Sequence, residues 1–268
     1  MDAVPVTESS IDVAELRRAL AGASIETRYQ PIVQIQDRRP VALEVLVRLN
    51  DPVRGILAPD AFVPQIEDAG LAARLTSQVT ERAFADTTGP LLRSYGFDIM
   101  LNVPLDVLLD ADARQRLDET RHAAGVGTER IIVELTESRP VEHFAALGAV
   151  LETLRVSGYR VFVDDISPAV PNCAALLQLP FTGMKLDRQL VQSVPTSLES
   201  RVFASDVIAL AKKRNLTVTA EGVEDVPTWH RMAALGVDQA QGFLLARPLP
   251  AAVVPNWLKA WQNQPAFG

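Results

Sequence analysis

The chain has 268 residues, 48% of them hydrophobic, and a formal charge of −7. That length suits one large domain, since α/β barrels often run to roughly 250 residues as a single unit, and the negative balance opposes a polymeric nucleic acid as partner. Cys173 is the only cysteine, which excludes an intrachain disulfide, and no run reaches the ~18 apolar residues of a membrane span; with no basic start leading into an apolar run, the expected setting is reducing and cytoplasmic.

Residues 1–11 are polar and carry Pro5, so a short disordered lead is expected there, followed by a single domain over 12–268. Two apolar runs come first, TRYQPIVQI and VALEVLVRL. They are parted only by QDRRP, too short for a helical crossover, so they predict an antiparallel hairpin. The runs FDIMLNV, RIIVELTE, YRVFVDD, TGMKLD, LTVTAEG and VDQAQGF follow, separated by helical stretches such as HFAALGAVLETLRVSG. Strand and helix take turns, which predicts βαβ units and a parallel sheet closing into a TIM-like (β/α)8 barrel with one antiparallel strand. Trp257 and Trp261, four residues apart, are expected to pack a C-terminal helix on that barrel.

A hydrophilic residue closes each run: Glu44, Asn102, Glu134, Asp164, Lys185, Glu221 and Gln241. They recur at roughly the length of one strand–helix unit, about 30 residues, so they gather at the C-terminal mouth of the strands, where barrel active sites lie. Any one acid at a strand end is ordinarily a solvated turn residue; the joint pattern carries the reading. With Asp165 beside Asp164, five carboxylates share one cup, where they must repel one another, take up protons or bind cations. Hard oxygen ligands select Mg²⁺, Mn²⁺ or Ca²⁺. His122, His143, His230 and Cys173 lie away from the strand ends, which argues against zinc, and the histidines read as helical surface positions. The adjacent aspartates suit two ions, one carboxylate bridging while its neighbour completes the second shell; such a pair activates a water and stabilises charge on a phosphoryl group. Lys185 in MKLD points inward if its strand alternates, and Arg48 in LVRLN is placed to grip a phosphate.

With these residues in hand, the chain resembles the EAL domain family, the bacterial cyclic di-GMP phosphodiesterases, from about residue 13 to 263. The matching stretches are YQPIV, EVLVR, FVPQIEDAG, LNV, ELTE, DD, MKLD, AEGVE and QGF, in that order. The resemblance implies two Mg²⁺ or Mn²⁺ ions and hydrolysis of one phosphodiester bond of cyclic di-GMP to linear pGpG. By position it implies metal ligands at Glu44, Asn102, Glu134, Asp164, Asp165 and Glu221, with Lys185 assisting the water and Glu44, Asp165 and Lys185 at the reaction centre. Gln30, Leu46, Arg48, Asn102 and Gln241 would seat the substrate, and Glu137 and Asp187 would support the neighbouring loop. A homodimer is implied as well.

The sequence departs from the family pattern twice. Val45 stands where the name-giving motif has alanine, a change expected to perturb rather than abolish the site. After the paired aspartates, the glycine-rich F-G-T-G-Y-S-S of the family is replaced by Ile166, Ser167, Pro168, Ala169, Val170, Pro171 and Asn172. Glycine permits positive φ whereas proline fixes φ near −65°, so this loop cannot copy the family's shape, which the resemblance ties to turnover. Two functions therefore stand open: a phosphodiesterase, or an impaired EAL domain that serves as a cyclic di-GMP receptor or protein-interaction module.

Overall fold

The first two apolar runs form the expected hairpin. In the computed structural model, which describes residues 11–136, 144–265 and 267, β1 (Ile25–Gln34) pairs antiparallel with β2 (Pro40–Asp51) from Ile25 opposite Leu49 to Val33 opposite Pro40. Each later run then adds a parallel strand: β4 (Asp98–Pro104), β5 (Ile131–Thr136), β6 (Arg160–Ile166), β7 (Gly183–Leu186), β8 (Thr217–Ala220) and β9 (Gln239–Ala240). The closing pair is β9 with β1, again antiparallel. Eight strands thus close a barrel in which β1 alone runs backwards. A short β3 (Gly55–Leu57), absent from the sequence reading, folds back on the end of β2. Its turn forms because the Asp51 carboxylate accepts from the Val53 and Arg54 amides while Gly55 takes φ 77°.

Alternation along the strands sorts side chains into two cores. Outward residues such as Leu43, Val45, Leu101, Val133, Val161 and Val163 belong to the large cluster that includes residues of the surrounding helices. Inward, Ile32, Ala42, Met100, Ile132 and Phe162 make a separate apolar plug. Phe162 extends over β7, where a Cβ on Gly183 would lie 2.3 Å from its ring. One inward step toward the mouth from each plug position lies Gln30, Glu44, Asn102, Glu134 or Asp164, and the same step from Gly183 on β7 gives Lys185. The plug therefore floors a polar cup and keeps bulk water from reaching it from below.

Val45, the departure in the name-giving motif, is accommodated in the outer cluster, so its extra methyls enter the layer between barrel and helices. Ile11, inside the expected lead, is buried in a second cluster with Leu16, Leu20 and Phe62; residues 1–10 lie outside the described ones. The C-terminal helix Val254–Gln262 docks as expected, with Trp261 buried and the indole N–H groups of Trp257 and Trp261 donating to Leu245 and Arg38 carbonyls. His122 and His230 are exposed on helices, and His143 lies outside the described residues. Among the described residues no helix is long and apolar enough to cross a membrane.

Candidate active site

Lys185 organises the cup. Its ammonium, 1% exposed, lies 2.7 Å from Glu134 Oε1, 3.4 Å from Glu44 Oε2 and 3.7 Å from Asp164 Oδ1, and it also ion-pairs with Glu221. Burial works against that charge, yet the carboxylates of Asp164, Glu134, Glu221 and Glu44 outweigh it and hold the Lys185 pKa well above its ordinary value. One cation thus faces four acids. The deficit appears on the carboxyls: burial, reinforced by Asp164, pushes Glu134 well above the carboxylate range, and burial with Asp164 and Glu44 pushes Glu221 up to about 8 despite Lys185. Glu44 goes the other way. Burial opposes its charge, but Lys185 and hydrogen bonds from Asn102 and Gln241 keep it ionised below its usual range.

Neighbouring amides fix the Glu44 carboxylate. Asn102 Nδ2 donates to Oε1 at 3.0 Å, and Gln241 Nε2 donates to Oε2 and, at 3.1 Å, to Gln30 Oε1. Gln30 Nε2 in turn donates to the Ala246 carbonyl at 3.0 Å, tying the reversed strand to the loop after β9.

A cation fits what these residues offer. Glu134, Asp164 and Glu221 present oxygens that all lie within 4.8 Å of one another. Glu134 is 0% exposed, and its Oε2 has no hydrogen-bond partner among the described residues. A buried carboxylate oxygen left unpaired is costly, and a hard divalent ion supplies the missing partner and the missing charge together.

Asp165 is placed differently. The pairing of β6 with β7 slips between Val163 and Ile166, Asp165 takes φ 54°, and its amide donates to Asp164 Oδ1 at 2.8 Å. Such a bulge re-aims a side chain that plain alternation would send outward. Asp165 is exposed and stands outside the group formed by Glu134, Asp164 and Glu221, but it remains within electrostatic reach of Asp164, Lys185, Asp187 and Glu44. Partial burial of its carboxyl and the Asp164 charge push its pKa up to about 6.

The proline-bearing loop is a tight turn. Val170 N–H donates to the Ser167 carbonyl at 3.1 Å, which puts Pro168 at the second turn position, where its fixed φ fits. Asn172, at φ 54°, then starts the helix Cys173–Leu176, its carbonyl accepting from Ala175 and Leu176. Asp187 is engaged as the N-cap of the helix Arg188–Ser193, accepting from Leu190 N–H at 3.0 Å. Glu137 lies outside the described residues.

A cavity of about 710 Å³ opens over the cup, within the range of small-ligand pockets. Gln30, Leu46, Arg48, Asn102, Asp164 and Gln241 line it, as do Arg188, Glu224, Phe243 and Arg247, to which the sequence reading gave no role. The AEGVE and QGF stretches that carry Glu224 and Phe243 were the available signal.

Comparison with known proteins agrees with this geometry. The family described as "EAL domain" matches residues 13–248. The chain is 32% identical over 252 residues to the cyclic di-GMP phosphodiesterase NbdA of Pseudomonas aeruginosa, a match covering 92% of this chain and 32% of that protein. It is 27% identical over 258 residues to the oxygen sensor protein DosP of Escherichia coli, covering 95% of this chain and 32% of that protein. It thus spans about a third of the length of these relatives. Among solved structures, the PaMucR phosphodiesterase in complex with c-di-GMP matches with a TM-score of 0.82 at 26% identity, covering 90% of this chain and 98% of that one. The EAL enzyme Bd1971 in its cAMP- and cyclic-di-GMP-bound form matches with a TM-score of 0.83 at 25% identity, covering 92% and 67%. The reversed first strand, the acidic cup around a buried lysine and the ordered motifs have one common explanation: this chain belongs to the EAL domain family.

Proposed function

We propose that the chain is a cyclic di-GMP phosphodiesterase that opens one phosphodiester bond to give linear pGpG, with two Mg²⁺ or Mn²⁺ ions held by Glu44, Asn102, Glu134, Asp164, Asp165 and Glu221. The observation that carries this reading is the imbalance at Lys185, one buried ammonium against four carboxylates, at the floor of a nucleotide-sized cavity. Bound divalent ions lower the pKa of a water and stabilise charge on the phosphoryl oxygens. The chain's own residues do the rest. Glu44, fixed by Asn102 and Gln241, is held ionised and in one orientation. Lys185 stays protonated and can donate to the attacking water or to a phosphoryl oxygen as water adds to phosphorus and one ribose oxygen departs. Arg48, half-buried beside the cavity, supplies a guanidinium for a phosphate; Leu46 gives an apolar wall, and Gln30 and Gln241 orient the sugar–phosphate ring. A homodimer and a cytoplasmic setting belong to the same proposal.

A second reading is a receptor, or a partner-binding module, that takes up cyclic di-GMP without turning it over. The turn at Pro168 favours it, because the turn begins two residues after Asp165, a ligand that stands outside the group formed by Glu134, Asp164 and Glu221.

Purified protein with cyclic di-GMP and Mg²⁺ or Mn²⁺, followed by chromatography for pGpG, separates the two. Turnover that Glu44→Ala removes supports the enzyme, and unchanged activity in that variant contradicts the ligand assignment. Micromolar binding without product selects the receptor.

A further inference from the structure

The loop that follows β9 forms one side of the cavity through Gln241, Gly242, Phe243 and Arg247. At its start, a Cβ on Gly242 would sit 2.1 Å from the Val223 carbonyl oxygen, and the two backbones are joined: Val223 N–H donates to the Gln241 carbonyl and Leu244 N–H to the Val223 carbonyl, each at 3.0 Å. At its end, Leu249 and Tyr29 exchange a pair of backbone hydrogen bonds at 2.7 and 2.8 Å. Between these anchors two carbonyls are held by side chains. Gln30 Nε2 donates to Ala246 at 3.0 Å from the barrel, and Trp257 Nε1 donates to Leu245 at 2.9 Å from the C-terminal helix. Trp257 has little freedom to follow the loop. Its ring stacks on that of Trp261 with centroids 6.0 Å apart, and Trp261, 3% exposed, donates to the Arg38 carbonyl at 2.8 Å.

The Ala246 carbonyl begins a relay that ends on Glu44. Gln30 uses both ends of its amide, donating to Ala246 through Nε2 and accepting from Gln241 at 3.1 Å through Oε1, so it cannot turn over without losing both bonds. Gln241 Nε2 also donates to Glu44 Oε2, while Gln241 Oε1 is buried with no hydrogen-bond partner among the described residues. The Gln241 amide is thus oriented through Nε2. Resting on the phosphodiesterase reading and its metal site, we propose that Trp257 is a positioning residue: by fixing the Leu245–Ala246 backbone it sets Gln30, Gln30 sets Gln241, and Gln241 holds the Glu44 carboxylate in the orientation that a divalent ion needs. Trp257 stands outside the cavity lining and acts by preorganisation, since a ligand whose supporting bonds are already set loses less freedom when the ion arrives.

An indole N–H that meets a carbonyl ordinarily does no more than satisfy it. Trp261 separates the two roles, because it stands on the same helix and makes the same kind of bond, but to Arg38, which is not part of the relay. Trp257→Phe and Trp261→Phe each remove one indole donor, and both are expected to lower the Tm. Only Trp257→Phe is expected to raise the Kd for Mn²⁺ alone, from calorimetric titration, and the KM for cyclic di-GMP, or its Kd without turnover. The rise in each is about fivefold, the scale of one lost hydrogen bond. Adding Trp257→Phe to Gln30→Met is expected to leave the Mn²⁺ Kd of Gln30→Met unchanged, because the relay is already cut. An undiminished rise of about fivefold in the double variant, or equal effects of Trp257→Phe and Trp261→Phe on Kd and KM, overturns the positioning role while leaving the metal site intact. Wild type that binds neither Mn²⁺ nor cyclic di-GMP overturns both.

Discussion

At the residue scale, Lys185 is the group on which the cup depends. Removing one partner of a buried ionic cluster leaves the others uncompensated, at a cost of roughly 3–5 kcal/mol. Lys185→Met, which keeps the volume and loses the charge, should therefore lower the Tm of metal-free protein by several degrees, and Mn²⁺ should raise the Tm of the variant by more than it raises that of wild type. Thermal melts with EDTA and with Mn²⁺ check this; equal shifts in the two proteins would remove Lys185 from the charge balance. Gly183 makes a steric counterpart, because a methyl group there would overlap the Phe162 ring, itself 1% exposed and walled in by the barrel. Gly183→Ala is expected to destabilise by about 1–3 kcal/mol, as overpacked cores do, and Phe162→Leu in the same chain to recover part of that loss in urea melts.

The loop between β6 and the helix Cys173–Leu176 carries Pro168 and Pro171 in the stretch where the resemblance leads one to expect a glycine-rich loop. Pro168 narrows the unfolded ensemble and fits the turn, so changing it costs about 0.4–1 kcal/mol of stability. Combining Ser167→Gly, Pro168→Thr and Ala169→Gly should lower stability by at least that much and loosen the chain beside Asp165. If the rigid turn limits turnover, pGpG formation rises several-fold, read as kcat at saturating substrate. An unchanged kcat in a folded variant would clear the loop and move the limit elsewhere in the cup.

Across the whole molecule, the acids that converge on Lys185 couple folding to pH and to metal. Glu221 has its pKa raised to about 8 from an ordinary 4.5, and Glu134 is raised too. Between those limits the folded chain holds more protons than the unfolded one, so metal-free stability falls as pH rises through that window. Divalent ions held as proposed would displace these protons, so the Tm gain from Mn²⁺ should grow from pH 6 to pH 8.5, whereas a flat gain would mean that the ion binds away from Glu134 and Glu221.

The sequence by itself determined the class of the fold and the gathering of Glu44, Glu134, Asp164, Lys185 and Glu221 at one end of it. Strand-length apolar runs alternating with helical ones leave few architectures, and the short QDRRP loop forces the first pair to be antiparallel. Period-two alternation also makes Glu44, Asn102 and Glu134 inward once their strands are placed, because each stands two residues from an apolar position on the same face, and Lys185 shares its face with Gly183, over which the Phe162 ring extends. The tertiary structure decided what no local pattern encodes. It set Lys185 against four acids from four other segments of the chain, re-aimed Asp165 through a slip in pairing while leaving it outside the buried group, and gave Asp187 to a helix cap. It also set Phe243 and Arg247 at the rim, since that placement rests on Gly242 meeting the Val223 backbone, a contact between two loops. Side-chain direction follows from the period of a strand, but charge balance and bulges depend on which strands become neighbours, and that is settled only when the barrel closes.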